Sequence, residues 1–74
     1  MKPRVIGLVR HFDTDRGYGW IDYGAERDLF FHAVELNGQG PPVAGDRVEF
    51  VIGDRRGRVC AQHVRVLGMN EASA

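Results

Sequence analysis

Four ring-bearing side chains, Tyr18, Trp20, Phe30 and His32, are spaced to share strand faces two by two. Residues i and i+2 of a β-strand point the same way. Tyr18 therefore stands beside Trp20 in Arg16-Gly17-Tyr18-Gly19-Trp20-Ile21, and Phe30 beside His32 in Asp28-Leu29-Phe30-Phe31-His32. Rings set side by side have two uses. A second layer of protein covers them as core, or they stay open as a platform on which flat ligands stack. A glycine inside a strand weakens it unless something approaches the backbone closely, so Gly19 between two rings favours the platform. Both stretches follow one pattern, rings on one face and apolar residues (Ile21; Leu29 and Phe31) on the other. Adjacent antiparallel strands would merge the rings into one patch. A chain of 74 residues has no second layer to cover both faces of such a sheet.

The elements that position these rings read as five strands. Val5 to Phe12 is rich in β-branched residues and apolar on both faces, with Gly7 inside it, which predicts a long, bent first strand wrapped into a barrel. Asp13 to Gly17 is turn chemistry, and the platform strand runs from Tyr18 to about Tyr23. After a turn at 24–27, a third strand spans Asp28 to His32. Ala33 to Gly45 reads as a long functional or mobile loop holding Pro41 and Pro42, with Val34 and Leu36 tucked under the barrel. Asp46 to Ile52 is a fourth strand with Val48, Phe50 and Ile52 inward, and 53–57 a basic turn. In the fifth strand, Arg58 to Leu67, apolar parity switches from odd (Val59, Ala61) to even (Val64, Val66), which predicts a bulge near Gln62-His63. Residues 68–74 read as a flexible tail. No helix is predicted, and the fold class is all-β: a five-stranded antiparallel barrel of OB type, one domain over residues 1–67.

Composition narrows the function. Ten basic residues balance ten acidic ones, which excludes the strong overall basicity of a histone-like protein and leaves room only for a local patch. Nine of the ten basic residues are Arg, a side chain suited to planar contacts with phosphates or bases. The single cysteine, Cys60, has no internal disulfide partner and no C-x-x-C spacing, so a reducing, cytoplasmic setting is expected. No apolar run approaches a membrane span, and no membrane partner is expected. No nucleophile–base pair, carboxylate dyad or phosphate-cradling loop occurs at a workable spacing, so the chain is not read as an enzyme and no cofactor or small-molecule substrate is assigned.

These residues resemble a known family. Arg16 to Ile21 is similar to the Lys-Gly-Tyr/Phe-Gly-Phe-Ile motif of cold-shock domains, and Asp28 to His32 to their Asp-Val-Phe-Val-His motif. Gly7-Leu8-Val9-Arg10-His11-Phe12-Asp13 resembles the family's opening Gly-x-Val-Lys-Trp-Phe-Asn. The later stretches 45–50 and 61–64 match less specifically. The resemblance covers roughly residues 5–67 and implies an OB-like barrel that binds single-stranded RNA or DNA, as an RNA chaperone or expression regulator. The site residues it implies are Tyr18, Trp20, Phe30 and His32 on the platform, with His11, Phe12 and Asp28 from the matching motifs. Arg10, Arg16 and Arg56 are expected at phosphates, with Lys2 and Arg58 as accessory candidates and Asp13, Asp15 and Asp28 opposing them.

This sequence departs from the family where His11 replaces a Trp, Ala33 an aromatic, and Gly40-Pro41-Pro42 a Gly-Phe-Lys, while Trp20 stands where Phe is usual. The stacking surface is narrower than the family norm. A base stacked on an exposed ring gains roughly 1–3 kcal/mol, so three or four bases give a gross term on the order of 4–10 kcal/mol before ordering costs. Micromolar binding is the expectation. The alternative is a barrel that has become a protein-interaction module with weakened nucleic-acid binding. Cys60 is expected to pack as a small residue and His63 to be structural. His11 and His32 without a third ligand make no metal site. A monomer is expected, with a strand-swapped dimer as the alternative.

Overall fold

The computed structural model describes residues 3–69 and is built from five antiparallel strands. They are β1 (Val5–Asp13), β2 (Tyr18–Asp22), β3 (Leu29–His32), β4 (Asp46–Arg55) and β5 (Arg58–Met69), with a short 3-10 helix at Ala33–Leu36. The sheet order is β3-β2-β1-β4-β5, and β3 packs back against β5 to close the barrel. This is the all-β, OB-type architecture expected from the strand pattern.

β1 is the shared strand, and it serves two partners with different halves. Val5 to Leu8 pair with β4, and Leu8 to Asp13 with β2. Between the halves the register shifts, because Val9 lies opposite Ile21 and His11 opposite Trp20, which leaves Arg10 as the extra residue of a bulge. A bulge bends its strand and increases the local twist, and here it turns β1 from one part of the barrel wall to the other. The expectation that β1 is covered on both faces fails. Gly7 and Val9 are buried, but Ile6 is 49% exposed, since among the described residues no second layer lies outside the sheet.

The core is Val9, Ile21, Leu29, Phe31, Leu36, Val48, Phe50, Ala61 and Val64, contributed by every strand and by the 3-10 turn. Packing is tightest behind the platform. A Cβ on Gly19 would lie 2.5 Å from the His11 carbonyl oxygen and 2.9 Å from the rings of Phe12 and Phe31. The sequence reading assigned this glycine to close approach of a ligand. The close approach is instead the protein's own, from the inner face.

Other boundaries differ in instructive ways. β4 continues to Arg55, so the basic turn shrinks to Arg56-Gly57 with φ of 55° and 79°, a two-residue turn of the type that fits strand twist. β5 continues through Gly68 and Met69, which pair with Arg47 and Asp46, so the strand enters the stretch read as tail; residues 70–74 lie outside the described residues. The bulge expected near Gln62-His63 is present: Val51 pairs with Gln62 but Glu49 with Arg65, and His63 adopts a φ of 52°. The loop read as mobile is pinned. Gln39 donates to the carbonyls of Leu36 (2.6 Å) and Val64 (2.7 Å) and accepts from the Val66 N–H (2.8 Å). Pro42 is buried, and Leu36 tucks under the barrel, whereas Val34 is 54% exposed.

Candidate nucleic-acid interface

Strand register sets the platform. Trp20 pairs with Phe30 and Tyr18 with His32 across β2 and β3, while His11 and Asp13 of β1 face Trp20 and Tyr18. Two transverse rows result on one face, His11–Trp20–Phe30 and Asp13–Tyr18–His32. Phe30 is the hub. Its ring centroid lies 5.4 Å from Trp20 in an edge-on arrangement at 69° and 5.6 Å from Tyr18 tilted at 40°. Tyr18, Trp20 and Phe30 are half-buried, and His11 and His32 are exposed. The second layer that a core reading would require is absent among the described residues.

The alternation in the sequence produces this local arrangement. With Tyr18 and Trp20 outward, Gly19 and Ile21 face inward; with Phe30 and His32 outward, Leu29 and Phe31 are buried. The turn before β2 is held by Asp13, whose Oδ1 accepts from the N–H groups of Asp15 (3.0 Å) and Arg16 (3.1 Å). Gly17 takes φ 77° there. An Asx turn of this kind fixes where β2 begins and hence the register of its rings.

His32 has a second duty. Its Nδ1 accepts from the Val34 N–H at 3.1 Å, capping the 3-10 turn. An Nδ1 that accepts a hydrogen bond places the imidazole proton on Nε2, which leaves Nε2–H as the donor for a ligand.

The arginines separate into two groups. Arg10 is held by two carboxylates, Asp28 at 2.6 Å and Asp22 at 2.9 Å. Asp28 therefore organises the site by fixing Arg10 across the strands. Arg16 is widely exposed, with Asp13 3.9 Å away. Arg56, in the β4–β5 turn, is exposed and has no carboxylate partner among the described residues. Phe12 is placed apart from the rows: its ring stacks on buried Phe31 at 5.5 Å and 20°, half-buried at the barrel's end.

Arg58, an accessory candidate in the sequence, lies over the hub ring. Its guanidinium lies 4.5 Å above the Phe30 centroid. Beside it is a recess of about 420 Å³ between β3 and the β4–β5 hairpin, with Arg56 and His32 on its rim and Cys60 and Glu35 in its lining. Cys60 is buried as expected, and burial, followed by the Glu35 carboxylate, pushes its thiol above its ordinary pKa. Glu35 is itself paired, accepting from Arg55 Nη1 at 3.0 Å and from the His63 N–H at 3.0 Å. The turn residues Arg56-Gly57 signal the hairpin that aligns Arg55 with Arg58, but the sequence carries no local sign that β5 closes onto β3.

Among the described residues no helix is long and apolar enough to cross a membrane, and no cluster of three or more metal-ligating side chains occurs. The profile of the 'Cold-shock' DNA-binding domain matches residues 5–67. A cold shock-like protein of Thermotoga maritima is 36% identical over 63 residues, which are 82% of this chain and 96% of that protein. The major cold shock protein CspA of Bacillus cereus is 36% identical over 52 residues, 68% of this chain and 78% of the relative. Cold shock domain-containing protein CG9705 of Drosophila melanogaster is 33% identical over 60 residues, 80% of this chain, but the match spans only 37% of that longer protein. The matched span runs from the first strand of the barrel nearly to the end of the fifth and includes both ring-bearing motifs. This chain belongs to the cold-shock domain family, whose members generally bind nucleic acid.

Proposed function

We propose that the chain binds single-stranded RNA or DNA by stacking unpaired bases on Tyr18, Trp20, Phe30 and His32, and that it acts as an RNA chaperone or expression regulator. The observation that carries this reading is the directly opposed Trp20–Phe30 pair, flanked by Tyr18, with no second layer of strands over it among the described residues and only the Arg58 side chain over Phe30. Every base has a π-face, so such a surface holds single strands with little sequence preference. In a duplex those faces are already stacked, and the platform has nothing to receive. Stacking on open bases competes with base pairing and so loosens weak RNA structure without an energy source. The same proposal places the chain in the cytoplasm as a monomer.

Titration of the Trp20 fluorescence with a pyrimidine hexamer tests it. Quenching by the single strand and little response to a duplex of the same length are expected. Equal responses to both would remove the stacking mechanism. A chain that responds to neither would be better described as a barrel for protein contacts.

A further inference from the structure

We propose that Arg58, with Arg56 beside it, is the phosphate-binding edge of the platform and draws the backbone of a bound single strand into the recess between β3 and the β4–β5 hairpin. The proposal rests on the stacking function above and adds to it the side on which the backbone runs.

The cations near the rings are not equivalent. Arg10 is closed between Asp22 and Asp28, Arg55 is paired with Glu35, and Arg16 shares its turn with Asp13. Arg56 and Arg58 have no carboxylate within ion-pair distance among the described residues. A phosphate meeting Arg10 must displace two carboxylates, whereas one meeting Arg58 displaces only water. With zero formal net charge, attraction for a polyanion has to come from such local, unneutralised cations.

Position favours the same pair. Arg58 opens β5 directly opposite Arg55, and its guanidinium carbon lies over Phe30, 4.5 Å from the ring centroid. A guanidinium over an aromatic ring is attracted to it and restricted in its motion while its N–H donors remain available, so little further ordering is needed to grip a phosphate. A base stacked on Trp20, whose ring centroid lies 5.4 Å from that of Phe30, then has a cation within one nucleotide's reach. The recess of about 420 Å³ is large enough for a phosphate and its sugar. The carboxylate in its lining, Glu35, is ion-paired with Arg55 and also accepts from the His63 N–H, and Cys60 is kept protonated.

The test is the salt dependence of hexathymidylate binding to the full chain, followed by Trp20 fluorescence, for the wild type, for Arg58→Ala, Arg58→Lys and Arg65→Ala, and for Arg56→Ala combined with Arg58→Ala. Arg65→Ala makes the same charge change on β5, next to Glu49 and away from the rings. Each phosphate neutralised on a single strand contributes roughly 0.7 to the slope of log K against log salt. Arg58→Ala is expected to lower the slope by about that amount, and Arg56→Ala with Arg58→Ala by about twice it, while Arg65→Ala leaves it at the wild-type value. Arg58→Lys should keep the slope yet bind about threefold more weakly, through loss of the planar stack. Far-ultraviolet circular dichroism checks that each variant is folded. An unchanged slope in Arg58→Ala, with wild-type quenching intact, overturns this proposal and leaves the stacking function standing. Tighter binding by Arg58→Ala also overturns it, because Arg58 would then be a cover that bases must push aside. A wild type that shows no quenching at any salt removes both.

Discussion

At Phe30 and Phe31, neighbouring residues of one type have opposite duties because strand side chains alternate. Phe30 is half-buried among Trp20, Tyr18 and Arg58; Phe31 is fully buried beneath Gly19. Phe30→Ala is expected to weaken oligonucleotide binding by about 1–3 kcal/mol while the thermal melt stays cooperative. Phe31→Ala opens a core cavity worth about 3–5 kcal/mol, comparable to the whole stability of a domain this small, and should leave the chain largely unfolded. Circular dichroism melts and a titration of the two variants side by side check both outcomes. Cys60 offers a test of a different kind. Burial favours its neutral thiol in the folded chain, so the raised pKa adds stability that is complete below the unfolded thiol's value, about 8.5. That contribution is lost as pH rises from there through the folded value. The denaturant midpoint should therefore fall as pH rises above about 8.5, and Cys60→Ala should flatten the fall. The alternation that assigns Phe30 outward and Phe31 inward was legible in the sequence. The fate of Arg10 was not, because its two carboxylates come from β2 and from the residue before β3.

At the scale of elements, the turns and the loop control the platform from outside it. Arg56 occupies a left-handed conformation at the first position of the β4–β5 turn, where Asn followed by Gly is the preferred pair. Arg56→Asn is expected to raise stability by about 1 kcal/mol while removing one cation from the rim. A higher melting temperature together with a lower salt slope would be the signature. Gln39 is the opposite case, a loop side chain whose amide is fully used by Leu36, Val64 and Val66. Gln39→Ala should cost about 2 kcal/mol, read from the urea midpoint, because it strands partly buried backbone groups. A glycine- and proline-rich stretch reads as mobile when its partners are unknown, and those partners lie 25 and 27 residues further along the chain. The β5 bulge was visible as a parity switch. The same signal exists in β1, where Gly7 and Val9 face inward at odd positions and Phe12 at an even one. The apolar Ile6 and Leu8 between them hid it by suggesting burial on both faces.

At the scale of the whole molecule, the barrel's closure determines what its charge can do. The one-sided core follows from period-two patterning, but contact between β3 and β5, the ends of the sheet order, belongs to no local pattern. That closure brings a basic hairpin to the edge of an aromatic sheet and so gives a neutral protein a polarised surface. With Arg56 and Arg58 as the unpaired cations beside the rings among the described residues, the wild-type salt slope on a short single strand should be modest, about 1.4 in magnitude. A value several times larger would mean that paired arginines release their carboxylates on binding. The extra residue in the middle of β1 sets a further limit on this molecule. Removing Arg10 altogether would leave Val9 and His11 on the sides they already occupy, and every hydrophobic position downstream would still look correct in an alignment. What would vanish is the corner, and a straightened β1 can no longer reach both of its partners. Such a shortened chain should read as a good family member by inspection and yet fail to become a barrel.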